Sequence, residues 1–256
     1  MGMISTSAII LRASPYRESD TLLTLFTLEE GKLSLIARGA RRSKRRYMGT
    51  LELGARLKLS YRSTPKLGTL GPCDILSAPW RARRTLTRFT QLCYLLELLN
   101  RGTPEGEADP ALFESACAYL DHLESAAEPT EEGLIRWELA LMSHLGYALR
   151  IDRCPYTGAI PDAISYRAGG SFSSHSGRRG FPLKTELLRQ LYRLQRGQEV
   201  SSISGEDATE LRAAMLSLWS EIIGTPLKSA PFFSLSREAT QALPREPMRG
   251  LNEAPL

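Results

Sequence analysis

The sequence predicts an α+β protein in which a small closed β-barrel precedes a helical region. Three observations support this fold class. The first eighty residues form short apolar runs separated by turn residues, apolar residues recur at helical spacing beyond them, and the positive charge is concentrated in the same N-terminal part.

Five strands are predicted before residue 80, and two of them alternate between apolar and polar residues. A tight turn is expected at Glu30-Gly31, and Gly54 within the fourth strand predicts a bulge or a sharp bend. Five short strands, of which one is long and bent, favour a closed barrel of the OB type. An SH3-like barrel or a small sandwich fits the same pattern. The predicted strands are 7–13, 20–27, 32–38, 51–62 and 73–78.

Several helices are predicted in the remainder of the chain. The first covers 85–102 and has Gly102 as a C-cap. Asp109-Pro110 is typical of a helix start, because a capping side chain is followed by proline in the first turn. Pro129-Thr130 is also typical of a helix start, because Thr130 is a capping residue. Ser204, with Asp207 three residues later, predicts a capping box before a helix at 210–224.

The element pattern divides the chain into a barrel domain, 1–80, and a helical domain, 81–236. Residues 152–182 are rich in Gly, Ser and Pro and are expected to form an irregular insertion. The segment 237–256 contains three prolines and little periodicity, so we expect a mobile tail.

Composition favours a protein of the cytoplasm. The four cysteines lie far apart, without the paired spacing of a disulfide framework. No apolar run approaches the roughly 18 residues of a membrane span. The N-terminus lacks the charged and apolar regions of a signal peptide. A cytoplasmic, nucleoid-associated location without membrane partners is therefore expected.

Charge is distributed unevenly along the chain. Residues 1–90 contain 17 Lys and Arg against 6 Asp and Glu, whereas 91–256 contain 16 against 22. Such asymmetry indicates that the N-terminal part meets a polyanion. Nucleic acid is favoured over an anionic membrane surface, because the basic residues lie among predicted strands rather than on an amphipathic helix.

The stretch from Arg38 to Gly49 is the most basic part of the chain. No acidic residue occurs between Glu30 and Glu52, so neighbouring residues cannot neutralise this loop. Such a loop is expected to bind phosphates without reading bases. Tyr47 and Tyr61 are candidates for base stacking, although packing inside the barrel explains Tyr61 equally well. The predicted DNA-binding residues of the loop are Arg38, Arg41, Arg42, Lys44, Arg45 and Arg46.

Further basic residues extend the predicted DNA surface. Arg81, Arg84 and Arg88 share one face if a helix begins at residue 81, although a solvated face explains them equally well. Arg56 and Lys58 lie on the strand face opposite Leu57, and Lys32 completes the set.

Two segments carry a resemblance to a known family. AIILRASPYRESDTLLTLFTLEEGKLSLIARGARRSKRR at the N-terminus and LWSEIIGTPLKSAPFF near the C-terminus occur in the same order as in the bacterial RecO family of recombination mediators, which the chain resembles over about 7–236. The resemblance implies an OB-fold domain followed by a helical domain. It also implies binding of single- and double-stranded DNA and annealing of complementary strands.

The resemblance also implies partners and raises the question of a metal. The implied partners are RecR and the acidic C-terminal tail of single-strand-binding protein, with RecF and RecA as further candidates. Many family members hold zinc with two Cys-x-x-Cys pairs. Here the four positions are Cys154, Thr157, Ser173 and Ser176, and one thiol with three hydroxyl groups does not supply a zinc site, even with His175 nearby. No metal or other cofactor is therefore expected.

Other functional classes are less well supported. The three histidines occupy unrelated contexts and no nucleophile motif or phosphate-binding Gly-rich loop occurs, so an enzyme is not expected. An OB-fold protein that binds RNA is an alternative, because the fold does not specify its ligand. A non-enzymatic scaffold that docks an acidic partner is another.

Overall fold

Five strands close into the predicted barrel. The computed structural model describes residues 2–43, 47, 49–64, 67–125 and 127–242. The strand order around the barrel is β1-β2-β3-β5-β4, and β4 pairs back to β1. Among the described strand pairs of the barrel, β3 with β5 is the parallel one, and this arrangement is that of an OB fold. The strands are β1 (Met3–Tyr16), β2 (Asp20–Thr27), β3 (Gly31–Ala37), β4 (Arg56–Arg62) and β5 (Gly68–Ser77).

Strand alternation fills the barrel interior. Leu33, Leu35 and Ala37 point to the same side of β3, as predicted, and Leu35 and Ala37 are fully buried. The side chains that pack with them come from all four remaining strands of the barrel. The interior also contains Ala8, Ile10, Leu23, Leu25, Leu57, Leu59 and Leu70.

Strand β1 has an irregularity at the point where Gly54 contacts it. The pairing of β1 with β2 shifts register between Ile10 and Arg12. Ile10 exchanges backbone hydrogen bonds with Gly54 and Ala55, at 2.9 and 3.0 Å. Gly54 adopts a φ of +75°, a conformation that favours glycine. The predicted bend is confirmed, but regular strand structure starts only at Arg56, so β4 is shorter than 51–62.

Six helices are described beyond the barrel. The caps expected at Asp109 and Thr130 are confirmed, because their side chains accept from the backbone N–H groups of Leu112 at 2.8 Å and Gly133 at 3.1 Å. The helices are α1 (Leu86–Gly102), α2 (Pro110–Glu124), α3 (Glu131–His144), α4 (Thr185–Gln195), α5 (Gly205–Ile223) and α6 (Ala230–Ala242).

Several helix predictions are wrong in detail. Helix α1 does not begin at 81, because Thr85 caps it and the preceding residues form turns. Ser204 precedes α5 without a side-chain cap bond, and α5 begins at Gly205 rather than 210. Helices α4 and α6 were not predicted. Helix α6 extends to Ala242, into the predicted tail, and 243–256 lie outside the described residues.

The insertion at 152–182 is more regular than predicted. It contains an antiparallel three-stranded sheet in the order β7-β6-β8. Gly170 lies so close to the backbone of Arg150 that a Cβ there would be 1.9 Å from the Arg150 carbonyl oxygen. The short strands are β6 (Ala163–Ser165), β7 (Gly170–Phe172) and β8 (Phe181–Pro182).

The barrel and the helical domain meet through specific polar contacts at the end of α1. The Nζ atom of Lys32 donates to the carbonyl oxygens of Asn100 at 2.7 Å and Thr103 at 2.5 Å. Beside it, Gly31 has a φ of +65°, and a Cβ there would lie 2.0 Å from the carbonyl oxygen of Glu107. The β2–β3 hairpin therefore docks backbone against backbone on the segment that follows α1.

A glycine comparison tests this docking. We expect Gly31→Ala to lower the free energy of unfolding by about 1–3 kcal/mol more than Gly106→Ala, because both positions have positive φ but only Gly31 faces a neighbouring backbone. Urea denaturation of both variants measures the difference. Equal losses would show that only the backbone conformation matters and that the close approach is dispensable.

Candidate nucleic-acid interface

The basic loop is the connection 38–55 between β3 and β4, and its first residues are fixed on the β1–β2 turn. Asp20 accepts a hydrogen bond from the backbone N–H of Gly39 at 2.8 Å. The backbone N–H of Arg41 donates to the Ser19 carbonyl oxygen at 2.9 Å. The loop therefore leaves the barrel in a defined direction.

The described arginines at this end of the loop are directed to solvent. Arg38 is exposed and makes no ion pair with another described residue. Arg41 donates to the Glu18 carbonyl oxygen at 3.2 Å, which leaves its charge uncompensated. Arg42 lies 3.6 Å from the Glu18 carboxylate, but the two side chains are 74% and 91% exposed, so solvent screens this pair. Lys44, Arg45 and Arg46 lie outside the described residues.

The turn beneath the loop adds a cation that the sequence analysis missed. Arg17 is exposed and has a φ of 53°. Its guanidinium carbon lies 5.3 Å from the centroid of the Tyr16 ring. The only sequence signal was an arginine within a polar turn, and the loop contacts are what place it beside Arg41.

The other end of the basic loop is held by the segment between the two domains. Arg83 donates to the Glu52 carboxylate at 2.7 Å and to the Leu53 carbonyl oxygen at 3.1 Å. Arg81 and Arg84 flank Arg83, are exposed, and have no ion pair within the described part of the chain. The structure therefore brings two predicted arginines to the C-terminal end of the loop.

Arg88 is not part of this surface. It is 4% exposed and donates to the carbonyl oxygens of Leu123 at 2.6 Å and Ala127 at 2.8 Å. Because α1 starts at Leu86, Arg88 does not share a helical face with Arg81 and Arg84. Its role is to tie α1 to the end of α2.

Lys32 and Arg56 serve the domain junction. Burial at the end of α1 lowers the pKa of Lys32, and Glu105 opposes this effect only in part. Arg56 binds both carboxylate oxygens of Asp121 on α2, at 2.5 and 3.0 Å. Lys58 is exposed on the outer face of β4, opposite Asp74 on β5. Of these three predicted residues, only Lys58 presents its charge to solvent.

The two tyrosines proposed for stacking are inside the barrel. Tyr47 is 6% and Tyr61 is 5% exposed, and both belong to the barrel core. The prediction that Tyr47 lies at the loop edge is wrong, because its ring turns inward and closes the barrel beneath the loop. Neither ring has a face available to a base.

Comparisons with known proteins agree with this architecture. The family described as "Recombination protein O N terminal" matches residues 1–79, and "Recombination protein O C terminal" matches residues 83–231. DNA repair protein RecO of Geobacter sulfurreducens is 37% identical over 198 residues, which are 75% of this chain and 81% of that protein. The chain belongs to the RecO family. DNA repair protein RecO of Myxococcus xanthus is 32% identical over 234 residues, which are 89% of this chain and 95% of that protein.

Membership of the RecO family establishes a role in DNA repair and recombination. The OB-fold barrel of the family is the domain that carries the basic loop. Within the described residues, no helix is both long and apolar enough to cross a membrane.

The residues at the family's zinc positions do not fit a metal. Cys154 is buried beside Ala163, Ala168 and Phe172. Its sulfur accepts from the backbone N–H groups of Tyr156, Thr157 and Ser173 and from the Thr157 hydroxyl. The hydroxyl groups at the other three positions are neutral, and that of Thr157 donates to the sulfur. Zinc instead needs nitrogen or anionic ligands. No group of three or more His, Cys, Asp or Glu that could hold a metal occurs among the described residues.

Hydrogen bonds support this module. Burial by itself raises the pKa of the Cys154 thiol, but the donors from Ser173, Thr157 and Tyr156 outweigh it and lower the pKa to about 7. The Tyr156 hydroxyl donates to the Ala168 carbonyl oxygen at 3.1 Å. Asp162 accepts from the backbone N–H of Ser174 at 2.6 Å.

A large cleft lies in the helical domain. Its volume is about 820 Å³, and it is bordered by the helix starts of α3 and α5 and by α6. Glu131 on its wall is already paired with the buried Arg212. No histidine or cysteine lines this cleft, so it lacks a nucleophile and base of the usual kind.

A comparison within β4 tests the division between structural and exposed cations. We expect Arg56→Ala to lower the free energy of unfolding by about 1–2 kcal/mol, because Asp121 loses a bidentate partner. Lys58→Ala should leave stability within about 0.5 kcal/mol of the parent protein. Urea denaturation measures both. If Arg56→Ala were neutral, the contact between β4 and α2 would not contribute to domain docking.

The Cys154 environment predicts a pH dependence of stability. The folded-state pKa is about 7, below that of an unfolded cysteine. The thiolate therefore stabilises the folded protein fully above the unfolded pKa, and this contribution is lost as pH falls through about 7. The difference in unfolding free energy between the parent protein and Cys154→Ala should grow from pH 6 to about 9.5.

A second cysteine provides the control. Burial raises the pKa of Cys117, so the difference between the parent protein and Cys117→Ala should shrink at alkaline pH. Urea unfolding of both variants across this pH range gives the two slopes. A difference for Cys154→Ala that does not change with pH would mean that the pKa of this thiol in the folded protein equals that of an unfolded cysteine.

Proposed function

We propose that this protein is a recombination mediator of the RecF pathway. It binds single- and double-stranded DNA, anneals complementary strands and helps to load RecA onto DNA covered by single-strand-binding protein. It acts at the nucleoid in the cytoplasm, without a metal or other cofactor and without enzymatic turnover.

The observation that carries this proposal is the electrostatics of the basic loop. Its two ends are held by Asp20 and by Arg83, while Arg38, Arg41 and Arg42 project into solvent. Exposed arginines on a fixed backbone bind phosphates of any sequence, because phosphates carry no base information. Such a surface screens the repulsion between two strands and leaves their pairing edges free, which is what annealing requires.

Of the described basic residues, the proposed interface includes those whose charges face solvent. These are Arg38, Arg41 and Arg42 of the loop, Arg17, and the pair Arg81 and Arg84, with Lys58 as an outlying contact. Lys44, Arg45 and Arg46 are included on the sequence prediction alone. Lys32, Arg56 and Arg88 are left out because their charges serve contacts within the protein.

The proposed partners follow from membership of the RecO family. They are RecR and the acidic tail of single-strand-binding protein, with RecF and RecA in the same pathway. Transfer of DNA between such partners requires a protein that binds DNA electrostatically and reversibly. The basic loop is suited to such binding.

Annealing tests the proposal directly. Two labelled complementary oligonucleotides are mixed with the protein, with and without single-strand-binding protein, across a salt series. We expect fast annealing that is lost when Arg41, Arg42, Arg45 and Arg46 are all changed to Ala. The log–log salt slope for single-strand binding should fall by about 3, since each phosphate contact contributes about 0.7.

A charge-matched variant separates a specific loop from net charge. Changing Arg153, Arg189, Arg193 and Arg196 to Ala removes four exposed arginines from the helical domain. This variant should anneal nearly as fast as the parent protein. If both variants lost activity equally, only net charge would matter. If the parent protein annealed nothing, the proposal would fail.

RNA is the principal alternative ligand. The basic loop would bind the phosphates of DNA and of RNA alike. Affinities for DNA and RNA strands of the same sequence must therefore be compared at one salt concentration. Tighter binding to RNA, together with capture of ribosomal components rather than RecR, would favour the alternative.

A further inference from the structure

Trp80 is an exposed aromatic residue in a chain that buries its other two tryptophans. Trp80 is 55% exposed, whereas Trp137 is 6% and Trp219 is 0% exposed. Large aromatic rings are usually well buried, so an exposed tryptophan is informative where its surroundings hold it in place.

The backbone on both sides of Trp80 is fixed. The Trp80 N–H donates to the Ala78 carbonyl oxygen at 2.9 Å. Pro79 packs against the turn at Gly54, where a Cβ would lie 3.1 Å from Pro79 Cγ. After Trp80, the backbone N–H groups of Arg81 and Ala82 donate to the Glu124 carboxylate, at 2.9 and 2.8 Å. Trp80 therefore stands on a rigid turn between the two domains.

The guanidinium group of Arg83 lies over one side of the Trp80 ring. The guanidinium carbon of Arg83 lies 5.7 Å from the centroid of the Trp80 ring. Arg83 is itself anchored to Glu52 and Leu53, near the C-terminal end of the basic loop. The same side chain thus links the ring to the proposed phosphate-binding loop.

Two exposed cations follow Trp80 closely along the chain. Arg81 and Arg84 are adjacent in sequence to this turn, exposed, and without an ion pair to any described residue. A flat, exposed aromatic ring flanked by free arginines suits a ligand that combines negative charge with aromatic faces. Single-stranded DNA has both, whereas the base faces of a duplex are stacked on one another.

We infer that Trp80 is a stacking platform for an unpaired base of single-stranded DNA that leaves the C-terminal end of the basic loop. This inference rests on the proposed function and adds to it a residue that distinguishes single from double strands. The phosphate contacts of the loop are shared by both forms of DNA, but only an unpaired base reaches the ring.

Intrinsic fluorescence reports on this residue. An oligo(dT) strand should quench the tryptophan emission of the parent protein, and a duplex of the same length should not. Trp80→Phe should abolish the quenching, because the remaining tryptophans are buried. By anisotropy of labelled DNA, Trp80→Ala should weaken single-strand binding about tenfold and leave duplex binding within about twofold, with Trp80→Phe between them.

A matched control is available in the helical domain. Tyr156 is 48% exposed and has Arg178 over its ring at 4.5 Å, but it lies in the insertion far along the chain from the basic loop. Tyr156→Ala should bind both forms of DNA like the parent protein. Thermal unfolding of every variant confirms that it is folded.

The outcomes separate this inference from the proposed function. If the parent protein binds DNA but shows no quenching and Trp80→Ala binds single strands equally well, the inference fails and the function stands. If the parent protein binds no DNA, both fail. If Trp80→Ala keeps its DNA affinity but loses binding to a peptide of aspartate and phenylalanine residues, the ring is a protein-docking residue and the inference is wrong.

Discussion

The arrangement of the molecule depends on the contact between the β2–β3 hairpin and the end of α1. The carbonyl oxygens at a helix C-terminus lack partners within the helix and carry partial negative charge. Lys32 satisfies two of them, and Gly31 allows the hairpin backbone to approach closely enough for this to happen. Burial at this contact lowers the pKa of Lys32, and Glu105 opposes the effect only in part. The helices are thereby oriented relative to the barrel.

This orientation decides which charges face solvent. Four acidic residues near the barrel are used inside the structure: Asp20 holds the loop, Glu52 binds Arg83, Asp121 binds Arg56, and Glu124 accepts from the backbone. The described arginines at the start of the basic loop and at the domain junction, among them Arg38, Arg41, Arg81 and Arg84, remain exposed. The net positive surface thus results from pairing within the protein as much as from composition.

The insertion of the helical domain is held together by hydrogen bonds and packing. The insertion retains short strands and a buried Cys154 that accepts several hydrogen bonds. Nearby, the helices are joined by a buried charge network in which Arg212, 2% exposed, meets Glu138 and Glu131. Such a network specifies one arrangement of helices, since removing one partner leaves an uncompensated buried charge.

The sequence by itself determined the local features. Strand alternation, the Gly54 bend and the caps at Asp109 and Thr130 depend on neighbouring residues, and all were predicted correctly. Only the tertiary structure decided which basic residues are exposed. Lys32, Arg56 and Arg88 look like Arg38 in sequence, but their partners lie more than thirty residues away. Tyr47, a candidate for base stacking, is buried for the same reason, because burial depends on packing between distant segments rather than on residue type or local spacing.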